Sequence, residues 1–280
     1  MTSFALPFSG SFGGEIRGVV HRADKPGPRP TVVICHGFKG FMDWGFFPPL
    51  ADLLAARGMT VIRFNFSGSG MAPGDDLVGD LGAFKRNTFS LERDETLHVL
   101  EAADDLAPGL VDRDRMALLG HSRGGGAAIL ASAHGGWQSR LKALVTWAAV
   151  ATFDRYGPEA RERWRRVGAL SLENGRTGQE LELGVELLDD IEQNRAALDL
   201  EAAAARRTAP WLIVHGAADE TVPIAEAERL HDAGAGDVEI VRIADGSHTF
   251  GARHPFAGPT RELTAAMNAT QRWLRRHLGS

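Results

Sequence analysis

Short apolar runs punctuated by glycine and proline fill the first third of the chain, and their spacing predicts alternating strands and helices. Residues 4–8 and 15–21 read as two strands joined by a turn over 9–14, an antiparallel opening hairpin. A proline-rich loop over 25–30 leads into residues 31–35 (TVVIC), whose unbroken β-branched apolar character suits a strand buried on both faces. Residues 48–57 carry Leu50, Leu53, Leu54 and Ala55 near helical spacing, and Gly58 is a fitting C-cap. The next strand spans 60–64. A helix over 91–106 sets Leu97, Leu100, Ala103 and Leu106 near one face. A strand at 115–119, a glycine- and alanine-rich helix from Arg123 to about His134, and a strand at 141–148 continue the alternation.

That alternation implies parallel β-α-β units in a doubly wound, mostly parallel sheet. It breaks over 152–207, which is dense in charge (161–166 and 180–192), offers no convincing strand, and reads as an inserted set of helices. It resumes with a strand at 211–214, a helix at 224–233, a strand at 238–243 and a terminal helix at 260–278. The expected organisation is an α/β core in two parts, 1–151 and 208–280, around a helical lid insertion at 152–207. A segment of that length is able to cover a site.

Composition changes this picture little: 44% hydrophobic and 24% charged residues are ordinary for a globular chain. The net charge of 31 − 36 = −5 argues against nucleic acid or an anionic membrane as the main partner. No run approaches the apolar length of a membrane span, and residues 1–11 lack the features of a signal peptide, so a cytoplasmic location is expected. Cys35 is the one cysteine and falls inside an apolar strand, where it reads as a small buried hydrophobe. The histidines show no paired carboxylate and cysteine spacing, so no metal and no cofactor are expected.

Gly120-His121-Ser122-Arg123-Gly124 has the G-x-S-x-G form and stands between a strand and a helix, the setting that this motif needs. So sharp a turn requires very small residues two positions either side of the serine, and both are glycine. A serine nucleophile needs a base, and the base needs an anion to hold its tautomer. Asp219, in HGAADETVP, follows the strand at 211–214, and His248, in GSHTF, follows the strand at 238–243. Both therefore belong to the carboxyl edge of the sheet, as Ser122 does. Glu220, Asp245 and His254 are the rival acid and base candidates. His121 is tied into the elbow, His36 and His215 end strands, and His21, His98, His134, His231 and His277 read as surface or helix-end residues. An acyl-transfer intermediate also needs backbone donors for its oxyanion, each worth roughly 3–4 kcal/mol. Arg123 N–H is one candidate and Phe38 N–H, in the loop His36-Gly37-Phe38-Lys39-Gly40, the other. The side chains of Arg123 and Lys39 are candidates for the site rim. Trp137, Trp147 and Trp164, near the insertion, belong by default to the core.

Taken together, HGF at 36–38, RFNFSGSG at 63–70, GHSRG at 120–124, HGAADETVP at 215–223 and GSHTF at 246–250 resemble the α/β-hydrolase superfamily over nearly the whole chain. The loop at 36–38 and the stretch at 63–70 look most like its bacterial cinnamoyl/feruloyl esterase and dipeptidyl-peptidase-like branch. The resemblance implies an eight-stranded, mostly parallel sheet and a cofactor-free serine hydrolase acting on carboxylic esters or, less often, peptides. Asn65 stands where the branch often has an acid, and Arg123 where it has Gln or Met. Tyr156 is the one tyrosine of the chain, so the branch's phenolic-ring contacts have no counterpart to map. The expected partner is a small-molecule ester, and a homodimer is the one protein association expected. A peptidase or thioesterase would use the same residues, and a non-catalytic binding protein is the reading from another class. A dehalogenase or epoxide hydrolase would need a carboxylate at Ser122.

Overall fold

The computed structural model describes residues 1–10 and 14–279. Its strands in chain order are β1 (Thr2–Pro7), β2 (Glu15–His21), β3 (Arg29–Cys35), β4 (Thr60–Asn65), β5 (Val111–His121), β6 (Leu141–Trp147), β7 (Ala169–Asn174), β8 (Gln179–Gly184), β9 (Trp211–Gly216) and β10 (Val238–Ile243). Eight of them form one sheet in the order β1-β2-β4-β3-β5-β6-β9-β10. The β1–β2 and β2–β4 pairings are antiparallel and the remaining ones parallel, as doubly wound β-α-β connectivity requires.

The continuous apolar reading of the central strands has a direct physical cause. Val33, Cys35, Leu118, Leu144 and Ile213 enter the core on one face, while Val32, Ile34, Leu119, Val145 and Leu212 enter the core on the other. Helices cover both faces, so neither set of side chains meets water and the alternation of a half-exposed strand never arises. The register aligns the carboxyl ends: Cys35 lies opposite Gly120, His121 opposite Trp147, and Ile243 opposite Gly216. Residues that follow these strands are thereby gathered on one rim.

Several expectations hold in place and shift at their ends. The helix at 48–57 is Phe47–Ala56, and Gly58 behind it takes φ +87°. The helix at 91–106 is two pieces, Phe89–Glu101 and Ala103–Leu106. The helix Leu81–Arg86, capped by Asp80 accepting from Ala83 N, was not anticipated, because six residues are too few to show a period. The turn expected at 9–14 includes positions 11–13, which lie outside the described residues.

The insertion is not wholly helical. Helices Pro158–Val167, Val185–Gln193 and Leu200–Arg206 are present, but β7 and β8 form an antiparallel hairpin between the first two. Its signal is in the sequence: Leu181 and Leu183 are buried, alternating with exposed Glu180 and Glu182. That period of two sits inside a charge-rich stretch and is easily read as a solvated helix. Among the described residues no helix is long and apolar enough to cross a membrane.

Candidate active site

Ser122 occupies the turn between β5 and the helix Arg123–Ser132, with φ +55° and ψ −122°. Such a backbone is strained for any residue bearing a Cβ and persists only where the surroundings dictate it. Here they do. A Cβ on Gly120 would come within 2.2 Å of Gly124 O, and one on Gly124 within 2.2 Å of His36 O. The turn thus packs backbone against backbone, and Ser122 N donates to Trp147 O of the neighbouring strand at 2.8 Å.

Three side chains meet at this rim in a hydrogen-bonded chain. His248 Nε2 lies 3.0 Å from Ser122 Oγ, and His248 Nδ1 lies 2.8 Å from Asp219 Oδ2. Asp219 Oδ1 accepts from the amides of Thr221 and Val222 at 2.9 Å each. Burial opposes ionisation of this carboxyl, but the hydrogen bonds from His248, Val222 and Thr221 outweigh it and hold Asp219 below the ordinary carboxylate range. With Oδ2 accepting at Nδ1, the lone pair of Nε2 faces the serine hydroxyl. That is the tautomer a general base requires.

The loop after β3 lies against the elbow: a Cβ on Gly37 would sit 3.1 Å from Ser122 Cβ. Phe38 N–H has no hydrogen-bond acceptor among the described residues. Arg123 N–H opens its helix, where backbone donors have no intrahelical acceptor. His36 fixes the loop from below. Its ring Nδ1 donates to Gly37 O at 2.9 Å and its Nε2 accepts from Phe66 N at 3.2 Å, and burial holds the ring neutral with a pKa of about 4. Asn65 holds the loop's far end, accepting from Met42 N at 2.7 Å and donating to Met71 O at 3.1 Å.

Two cavities open from Ser122 and His248. One, of about 430 Å³, is bounded by Phe89, Val150, Phe153, Tyr156 and Val222. The other, of about 460 Å³, is bounded by Trp44, Asn174, Arg176, Arg253 and His254. Phe38 and Lys39 form the partition between them, bordering both. Among the described residues no group of His, Cys, Asp and Glu is arranged to hold a metal ion.

A family model for the alpha/beta hydrolase family matches residues 32–262, most of the chain. The chain belongs to the alpha/beta hydrolase family. Among solved structures, Est1E from Butyrivibrio proteoclasticus with bound ferulic acid is similar at 19% identity, with 95% of this chain and 96% of that one covered and a TM-score of 0.72. Alpha/beta hydrolase domain-containing protein 10 from mouse is similar at 18% identity, with 99% of each chain covered and a TM-score of 0.73. These likenesses are of fold. A curated relative, the non-reducing polyketide synthase ausA of Emericella nidulans, is 32% identical over 82 residues, so this chain spans only about 3% of that protein's length.

Within this alpha/beta hydrolase, the structure brings Ser122, Asp219 and His248 together and leaves Glu220, Asp245 and His254 outside that hydrogen-bonded chain. Glu220 and Asp245 are exposed and make no hydrogen bond to His248. His254 turns away, accepting from Gly45 N and meeting Asp76 at 2.7 Å. His215 is fully buried and donates to Val222 O, bracing the Asp219 loop. His21, expected at the surface, is 2% exposed between Asp52 and Arg63. The rim expectation divides: Lys39 borders both cavities, whereas the Arg123 side chain is buried and paired with Glu92 at 2.8 Å. Trp137, Trp147 and Trp164 are core residues, as expected by default. Sequence reasoning missed Glu92, Phe89 and Trp44, because nothing local marks a helix residue or a loop aromatic as facing a site 30 or more positions away.

Proposed function

We propose that this protein is a serine hydrolase that cleaves a carboxylic ester through an acyl-enzyme, with Ser122 as nucleophile, His248 as general base and acid, and Asp219 as the orienting anion. The hydrogen-bonded chain from Ser122 Oγ through His248 to Asp219, at 3.0 and 2.8 Å, carries this reading. His248 Nε2 takes the hydroxyl proton as Ser122 Oγ bonds to the ester carbonyl carbon. The tetrahedral oxyanion is held by Phe38 N–H and Arg123 N–H. Its collapse expels the alcohol, which leaves with the proton from His248. Water, deprotonated by the same nitrogen, then displaces the acyl group, releasing the carboxylic acid and restoring Ser122.

Ser122→Ala tests this reading directly. Purified wild-type protein is expected to turn over p-nitrophenyl acetate and butyrate, and the variant to lose that turnover by at least about a thousandfold. Undiminished turnover by folded Ser122→Ala protein would overturn it. Peptidase and thioesterase chemistry would use the same groups, so a panel of ester, thioester and aminoacyl-amide substrates assigns the leaving group. An aromatic ester belongs on that panel, since the structurally similar Est1E holds ferulic acid. The remaining expectations, a homodimer acting in the cytoplasm without a cofactor, are read by sizing, fractionation and activity after dialysis against chelator.

A further inference from the structure

The two cavities beside Ser122 differ in how their charges are compensated. In the aromatic one, each arginine has its own carboxylate. Arg123 meets Glu92 at 2.8 Å and Arg155 Nη2 donates to both carboxylate oxygens of Glu226. The other cavity is bordered by Arg176 and Arg253, by Lys39, which it shares with the aromatic one, and by no Asp or Glu. None of these three cations has a carboxylate within ion-pair distance among the described residues, although the chain as a whole carries a net charge of −5.

What holds them in place leaves their charge unspent. Lys39 Nζ donates to the backbone carbonyl of Glu173 at 3.2 Å, bridging the loop after β3 to the β7–β8 hairpin. Arg176 Nη2 donates to the backbone carbonyl of Asp76 at 2.5 Å, with the guanidinium 5.3 Å from the Phe41 ring centre. Buried Asn174 accepts from Arg176 N at 3.2 Å, steadying the turn that carries it. Arg253 makes no side-chain hydrogen bond among the described residues. Two acids act at the edge of this wall: Glu173, whose charge acts on Lys39, and Asp76, whose carboxylate is engaged by His254 at 2.7 Å. A concave wall of one sign concentrates the opposite charge, and guanidinium groups suit the paired oxygens of a carboxylate or phosphate.

We infer that the cavity bounded by Lys39, Arg176 and Arg253 binds an anionic group, a carboxylate or a phosphate, in one half of the ester, while the aromatic cavity receives the uncharged half. This rests on the serine hydrolase reading for its turnover arm but not for its binding arm. For turnover, esters are compared in matched pairs: 4-nitrophenyl hydrogen glutarate against its methyl ester, and 4-acetoxybenzoate against methyl 4-acetoxybenzoate, with 4-acetoxyphenyl phosphate as the phosphate probe. In at least one pair the anionic ester is expected to show about a tenfold higher kcat/KM than its neutral partner at low ionic strength, with the ratio falling in about 0.5 M KCl. The double variant R176Q/R253Q is expected to bring that ratio close to one, and R176K/R253K to restore most of it. A ratio near one in every pair, or one that R176Q/R253Q leaves unaltered, overturns the inference. For binding, calorimetry on Ser122→Ala protein compares glutarate, 4-hydroxybenzoate and phenyl phosphate with their neutral methyl esters. Tighter anion binding that R176Q/R253Q removes, in a wild-type protein that turns over no ester, would uphold the cavity assignment and overturn the ester hydrolase reading. Turnover without any anion preference in either arm would do the reverse.

Discussion

His121 Nε2 donates to the backbone carbonyl oxygen of His248 across 2.9 Å, so the residue beside Ser122 fixes the loop that carries His248. The two rings are also in contact, tilted 54° to each other with 4.8 Å between centres. Burial drives the His121 pKa down to about 3, which keeps the ring neutral and its Nε2–H available at every working pH. His121 is therefore a positioning residue. His121→Phe keeps the ring volume and removes the donor. Its kcat on p-nitrophenyl butyrate is expected to fall about tenfold with a smaller change in KM, since a loosened base affects the chemical step more than binding. Equal kcat for variant and wild type would show that the loop holds itself.

Two buried imidazoles give the fold an acid limit. His36 and His121 have folded pKa values of about 4 and about 3, against an ordinary 6.5. Lowered values for a base mean that the unfolded chain takes up protons first as pH falls. The stability linked to each ring is thus complete above about pH 6.5 and declines toward the folded pKa. At pH 5 each costs about 2 kcal/mol. Denaturant midpoints measured from pH 8 to pH 5 are expected to drop for wild type and to drop less for His121→Phe. Parallel curves would contradict this.

Asp219→Asn leaves the shape of the Asp219 side chain and removes the anion that holds His248. The expected result is a fall in kcat of about a thousandfold or more, with a melting temperature within a few degrees of wild type. The measurement pairs steady-state kinetics with thermal unfolding; a variant retaining near-full activity would exclude Asp219 from its assigned role.

The pair between Arg123 and Glu92 is almost wholly enclosed, with side chains 7% and 6% exposed. Phe89 lies against the guanidinium at 4.3 Å, and Asn87 donates to the other Glu92 oxygen at 2.8 Å. Glu92→Gln strips the charge from one partner and leaves the other buried. A loss of about 3–5 kcal/mol in urea unfolding is expected. A loss under about 1 kcal/mol would mean that Arg123 finds another acceptor or water.

Gly124→Ala tests the elbow by packing alone. The new methyl would stand 2.2 Å from His36 O, a contact that only a backbone shift relieves. Both stability and activity are expected to fall, because the same shift moves Ser122 and the Phe38 loop. Gly109→Ala, at a glycine with φ +70° and open space, separates backbone strain from collision: it is expected to cost stability but not activity.

Much of this was legible from the residues because it depends on local rules. The strand at 31–35 is buried on both faces and so reads as unbroken apolar sequence. Gly120 and Gly124 flank Ser122 because no larger residue fits, and Asp219 and His248 follow strands whose carboxyl ends share a rim. The β7–β8 hairpin is hidden in the sequence because the alternation of Glu180, Leu181, Glu182 and Leu183 is only four residues long and lies in a charge-rich stretch. Buried His21 went unread because its partners, Asp52 and Arg63, are supplied by other elements.

The sequence by itself determined the chain order of the eight strands of the main sheet, the elbow and the three residues of the hydrogen-bonded chain, since each is dictated by neighbours within a few positions. Only the tertiary structure decided which way the charged side chains turn. Arg123 follows Ser122 in the chain, yet it is drawn inward by Glu92, while Arg176 and Arg253, some 50 and 130 residues beyond the serine, come to border its cavity. The physical reason is that a backbone turn is specified by local sterics, whereas the partner of a long charged side chain is whichever group the folded chain brings within reach.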